Sequence, residues 1–269
     1  MTGLAFACAA IALLPLFAVL FYVVSQGAGR LTLDLFTQLP PPPLIKGGGF
    51  GNAFIGTLIT VGIGAAISIP FGVLGAIFLS EFARDTKVAE WIDFFTNVLS
   101  GVPSIVVGVF AYAVIVVTVG SFSAVAGGIA LAVLMLPTIV RTSAEAIEAV
   151  PKDYRQASVG LGSTQFQTVM RVVLPAAIPS IVTGVMLAIA RAAGETAPLI
   201  FTALFNQYWS KVPDGLFQPI ATLSVLVFNY AIAPYKNQQE LAWAGALVLV
   251  AMVLITSILS RWVTSRGKG

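Results

Sequence analysis

The sequence predicts an all-α integral membrane protein with six transmembrane helices. Three observations carry that expectation. Hydrophobic residues make up 58% of the 269 residues, charged residues only 9%, and the mean hydropathy is +0.97, far from the range of a soluble globular domain. A spanning helix needs about 20 mostly apolar residues, and six stretches reach or approach that length. Lys and Arg are shared unevenly among the segments between them.

Leu4–Val24 is the first expected span; it lacks a basic leading region and a clear cleavage site, so it reads as retained rather than as a signal peptide. Pro40–Pro43 follows as a stiff extracytoplasmic linker. Ala53–Leu79 is the second span, with Gly62, Gly64, Gly72 and Gly75 placed for close helix approach. Val98–Val119 is the third, and Ala124–Val140, with Gly127 and Gly128, is the short fourth. Ala176–Leu204 and Leu241–Leu259 complete the set. Pro70, Pro103 and Pro137 are positioned to kink spans and release carbonyls towards a passage. Trp91, Trp209, Trp243 and Trp262 fall near predicted span ends, as interfacial anchors do. The chain thus divides into residues 1–52, a first helix and its extracytoplasmic loop, and residues 53–269, a five-helix core with a cytoplasmic loop at about 142–175.

With both termini cytoplasmic, the inner face holds nine basic residues: Arg84, Lys87, Arg141, Lys152, Arg155, Arg171, Arg261, Arg266 and Lys268. The outer face holds four: Arg30, Lys46, Lys211 and Lys236. That bias favours this orientation. The near-uncharged stretch Gly215–Tyr235, read as a seventh span, would move Arg261, Arg266 and Lys268 outside, so it is expected at the outer face or partly re-entrant. A pI of about 9.1 reflects this anchoring to a lipid membrane and gives no support to a nucleic-acid partner.

Absences narrow the chemistry. There is no histidine, and Cys8 is the one cysteine, which excludes an internal disulfide and argues against a transition-metal site. Gly47-Gly48-Gly49 runs into Phe50 and Gly51 without the lysine of a phosphate-binding loop, so the chain has no route of that kind to ATP and no expected cofactor of its own. A membrane-embedded enzyme would need convergent catalytic carboxylates or histidines, and a secondary transporter would show internal repeats; neither pattern is visible.

The segment KDYRQASVGLGSTQFQTVMRVVLPAAIP, from Lys152 to Pro179, reads as two short amphipathic helices meeting at a glycine. Tyr154, Ala157, Ser158 and Leu161 fall at i, i+3, i+4 and i+7, Gly162 follows as a helix-ending residue, and Phe166, Val169, Met170 and Val173 repeat the spacing. Thr164 with Gln167 fits a capping box, and Leu174-Pro175 marks the end of the second helix. A hydrophobic knob in a polar loop suits docking, and an ordinary helical hairpin is the alternative.

Arg191 follows nineteen uncharged residues, and after Glu195 the chain is again uncharged from Thr196 to Ser210. Both charges therefore belong at membrane depth, where an arginine costs roughly 2.5–3.5 kcal/mol on insertion scales. The pair is either a structural i, i+4 bridge or part of a polar pathway.

Gln156-Ala157-Ser158, three residues, Gly162, nine residues, Val172, one residue and Leu174-Pro175 together resemble the "EAA" signature of ABC importer permeases. Gln156 stands for the signature's glutamate and Ser158 for its second alanine, so any salt bridge made by that glutamate is not expected here. The stretches GVPSIV (Gly101–Val106), RAAGETAP (Arg191–Pro198), Asn206-Gln207, Gln218–Ile220 and LAWAG (Leu241–Gly245) resemble the PstA-type permeases of phosphate importers over nearly the whole chain. The PstC-type sister permease shares an ARxxGE-like stretch, and molybdate and sulfate importers share the loop and fold; TAPLIFTA and LAWAG favour the PstA type. The resemblance implies a MetI-like permease bundle in the bacterial cytoplasmic (inner) membrane. It implies as partners a sister permease forming a heterodimer, two cytoplasmic ATPase subunits that bind the ATP, and an extracytoplasmic phosphate-binding protein. It assigns Tyr154, Gln156, Ala157, Ser158, Gly162, Phe166, Leu174 and Pro175 to ATPase coupling, and Arg191, Glu195, Thr196 and Ser104 to the substrate pathway.

Overall fold

The structure, a computed structural model, describes residues 2–84, 86–210 and 213–266; Lys211 and Lys268 of the basic count lie outside them. In chain order the helices are α1 (Thr2–Gly27), α2 (Asp34–Thr37), α3 (Gly51–Ile77), α4 (Lys87–Gly101), α5 (Ser104–Ala111), α6 (Val117–Val119), α7 (Ala124–Glu148), α8 (Lys152–Gly160), α9 (Gln165–Thr168), α10 (Leu174–Ala193), α11 (Ala197–Thr202), α12 (Leu223–Ala231) and α13 (Lys236–Arg266). Among the described residues, five helical segments are long and apolar enough to cross a membrane, and α4 with the α5–α6 segment makes a sixth if the bent pair counts as one span.

The centre of the bundle is α3 against α7. A Cβ on Gly128 would lie 2.5 Å from Ile63 Cγ2, and one on Gly72 would lie 2.7 Å from Ile139 Cγ2, so glycine is what lets these two helices approach. Helix α10 closes the layer, with Leu131, Met135, Ala188 and Ala192 in one buried cluster. Helix α1 is peripheral and leans on α13, where Tyr22 meets Trp243 edge-on at 5.1 Å.

The boundaries differ from the hydropathy reading at four places, each for a local reason. The third span starts at Ser104 rather than Val98: Pro103 biases Val102 to an extended conformation, and α4 leaves α5 at 104°. The fourth runs on to Glu148, because Arg141 ends the apolar run but not the helix and pairs with Glu145 at 3.5 Å. Leu174-Pro175 does not stop the second loop helix; a π turn over Val169–Val173 makes room for the proline ring, and the helix continues from Gln165 to Ala193. The fifth span is instead broken after Ala193, since the ring of Pro198 is incompatible with a helical Gly194 carbonyl four residues earlier.

The stretch proposed as re-entrant holds a 3-10 turn (Asp214–Phe217) and α12, whose nine residues are too short to cross. It dips into the bundle: the Leu223 N–H donates to Thr57 Oγ1 at 2.8 Å, six residues or about 9 Å along α3. Asn206 ties the preceding segment down, donating to the Pro219 carbonyl at 3.0 Å and accepting on its own carbonyl from Asn52 at 2.9 Å. The proline-rich segment is likewise pinned rather than a free linker. Gly49 N–H closes it onto the Leu39 carbonyl at 3.1 Å, and Asn237 donates to the Ile45 carbonyl at 2.7 Å.

Candidate functional site: a charged helix break and a capped loop

Two features stand at different levels of the bundle. The first is the break between α10 and α11. Arg191 occupies the last turn of α10, Glu195 lies in the three-residue gap, and Arg191 Nε is 3.6 Å from Glu195 Oε1. Both border a narrow cleft with Leu134, Met135 and Thr138, the middle of the 25-residue α7. Leu134 and Thr138 lie about 15–21 Å from the start of α7, so the charged pair sits beside the middle of that helix. At 3.6 Å the contact is an ion pair rather than a tight hydrogen bond, and it leaves guanidinium donors over. The Glu195 carbonyl accepts from Ser224 Oγ at 2.8 Å, which fixes the gap to α12.

Thr196 ends the gap; its carbonyl starts α11 by accepting from the N–H groups of Leu199 and Ile200 at 3.1 and 3.2 Å. Ser104 opens α5, a separate helix, and among the described residues it shares no side-chain hydrogen bond with the charged pair. The two are linked through packing, because Gly108, one turn along α5, lies directly against Pro198 at the head of α11.

The second feature is the loop between α7 and α10. Helix α8 ends at Gly160, Gly162 takes φ +87°, and Thr164 with Gln167 forms the capping box of α9, each bond of the box present. The expected amphipathic faces are divided in space. Ser158 turns inward, its Oγ 2.9 Å from Thr168 Oγ1, and Val169 and Val173 are buried beneath it. Tyr154, Gln156, Ala157, Leu161 and Phe166 are exposed, with Leu161 at 88%; Leu174 is half-buried and Pro175 exposed. Tyr154, Leu161 and Phe166 are thus exposed apolar side chains on a short, well-capped scaffold.

Sequence reasoning missed Arg155 and Glu81. Arg155 Nη2 lies 2.7 Å from Glu81 Oε1, and the same guanidinium donates to the carbonyls of Ile147 and Val150. The available signal was a carboxylate placed directly after the uncharged run from Gly51 to Ser80.

Residues 68–268 match the family described as binding-protein-dependent transport system inner membrane component. The chain is 40% identical over 250 residues to the phosphate transport system permease protein PstA of Yersinia pestis, covering 93% of this chain and 84% of that protein. It is 42% identical over 247 residues to the protein of the same name from Xylella fastidiosa, covering 91% and 85%. Among solved structures, a chain of an inward-facing MetNI methionine ABC transporter matches with a TM-score of 0.66 at 19% identity, over 80% of this chain and 94% of that one. A chain of a bacterial alginate ABC transporter matches with a TM-score of 0.69 at 13% identity, over 98% and 94%. These two establish the ABC permease fold. The chain therefore belongs to the family of binding-protein-dependent transport system inner membrane components.

Proposed function

We propose that this chain is the permease subunit of an ATP-driven phosphate importer and supplies half of its translocation pathway. The observation that carries the proposal is the Arg191 guanidinium, held at mid-bundle beside a broken helix with its side chain 64% exposed and, among the described residues, paired with Glu195 alone. A charge at that depth needs a polar surface to face, and on a single chain it faces outward, where a second permease subunit closes a passage over it. The planar fork of a guanidinium suits two oxygens of one phosphate. Glu195 aims the fork and keeps the anion from being held too tightly. Phosphate as the anion is supported by the relatives named as phosphate transport permeases.

The remaining parts follow from this reading. The sister permease completes a heterodimer, an extracytoplasmic phosphate-binding protein delivers the anion, and two cytoplasmic ATPase subunits bind and hydrolyse ATP. This chain catalyses nothing itself. It lies in the bacterial cytoplasmic membrane with both termini inside, so that Tyr154, Leu161 and Phe166 meet an ATPase subunit. ATP-driven closure of the ATPases moves that loop, rocks the two bundles and alternates access to Arg191.

The test is uptake into proteoliposomes holding the complete complex, with radiolabelled phosphate, molybdate and sulfate offered separately with and without internal ATP. The expected result is uptake of phosphate alone, and only with ATP. ATP-dependent uptake of molybdate or sulfate in its place would move the chain to another oxyanion, and uptake driven by an ion gradient without ATP would end the importer reading.

A further inference from the structure

We infer that the Arg155–Glu81 ion pair is the joint that carries movement of the α8–α9 loop into α3, an inference that rests on the loop docking to an ATPase subunit. Along the chain, the loop is attached only to α7 and α10. Its attachment to α3, 74 residues away, is made through Glu81: Arg155 donates to Oε1 from Nη2 at 2.7 Å and from Nε at 3.2 Å, and the Gln165 side-chain amide donates to the Glu81 carbonyl. One guanidinium therefore binds three elements together, since it also donates to the Ile147 carbonyl at 2.8 Å and to that of Val150 at the end of α7.

The setting separates this pair from an ordinary surface bridge. The Arg155 and Glu81 side chains are 22% and 10% exposed, whereas those of the Arg141–Glu145 pair are 62% and 67% exposed. Partial burial weakens screening, and multiple donors from a planar fork fix an angle as well as a distance. Glu81 also sits within a π turn, Phe78–Phe82, and a second π turn, Val169–Val173, follows α9. Wide turns of this kind are local departures from regular helix that recur at functional sites. The loop is thus a stiff unit, locked internally by the capping box and by Ser158 to Thr168, and flanked by two irregular turns with a rigid charged tie across one of them. Displacing it pulls the end of α3, and α3 transmits the pull to α7 through the contacts at Gly72 and Gly128.

A positioning role of this kind predicts loss of coupling rather than loss of docking. In the complete reconstituted complex, Glu81→Gln should still co-purify with the ATPase subunits and hydrolyse ATP at the parental rate, while phosphate taken up per ATP falls several-fold. Arg155→Lys keeps the charge but not the three-way fork, and should give an intermediate ratio; it carries the test should Glu81→Gln fail to insert. An unchanged ratio in both variants, or uptake and hydrolysis falling together with loss of the ATPase subunits, overturns the inference. Failure of the docking reading is read separately. If a Tyr154→Ala, Leu161→Ala, Phe166→Ala triple variant retains its ATPase subunits, the loop does not dock, whatever the Glu81 variant does.

Discussion

Arg191 and Glu195 form an ion pair across the end of a helix, and the two partners are unequally buried. The carboxylate side chain is 17% exposed and is enclosed by α7 and α10, while the guanidinium it faces lies mostly open. The partners of the other i, i+4 bridge, Arg141 and Glu145, are by contrast equally open, at 62% and 67%. The asymmetry matches a carboxylate that aims an arginine towards something outside this chain.

Replacing Glu195 with glutamine should therefore be milder than removing the arginine. The amide keeps the shape and can still accept from the guanidinium, but it no longer fixes the aim of the fork electrostatically. Phosphate uptake by the complete complex should fall roughly tenfold, equivalent to about 1.4 kcal/mol on the transport barrier. A variant as inactive as one lacking Arg191 would instead make Glu195 a gating group in its own right.

Gly162 tests the loop through its backbone. Its φ of +87° disfavours a β-branched side chain, and a Cβ there would meet no atom within 4 Å, so Gly162→Val acts by conformation and not by crowding. The strain of about 1–2 kcal/mol should re-aim α9 and lower ATPase co-purification and uptake together. Gly162→Asn, which tolerates the left-handed region, should retain most of both. Equal behaviour of Val and Asn would show that the turn is not what sets the knob.

Gly128→Leu addresses the α3–α7 seam. A side chain at Gly128 must displace Ile63, whereas one at Gly62 meets open space. Overpacking costs about 1–3 kcal/mol, so Gly128→Leu should lower the thermal unfolding midpoint of the detergent-purified complex while Gly62→Ala leaves it unchanged. Equal midpoints for the two would contradict the close approach.

Much of this architecture was legible in the residues, and the misses share a cause. Hydropathy finds apolar length, so the spans around Ala53, Ala124, Ala176 and Leu241 were visible, but it is blind to direction. Pro103 marked a kink in the third span, but the 104° size of the turn at Val102-Pro103 and the break at Gly194–Thr196 depend on proline sterics acting on a preceding residue or turn, which an apolar count does not measure. Pro175, by contrast, reads as a helix stop and is absorbed by a π turn. In the loop, Gly162 and the Thr164–Gln167 box were legible because caps are local chemistry. The inward turn of Ser158 and the Arg155–Glu81 tie were not, since both partners of each contact must be brought together by the fold.

If Arg191 receives the transported anion, the initial rate of phosphate uptake by the complete complex carrying Arg191→Gln must show it. Glutamine keeps hydrogen-bonding capacity and much of the length but removes the charge that offsets a desolvated phosphate. Uptake should collapse while the complex assembles and hydrolyses ATP, with Arg191→Lys restoring only part of the rate because a point charge lacks the two-donor fork. Parental uptake by Arg191→Gln would contradict it and leave Arg191 a packing residue.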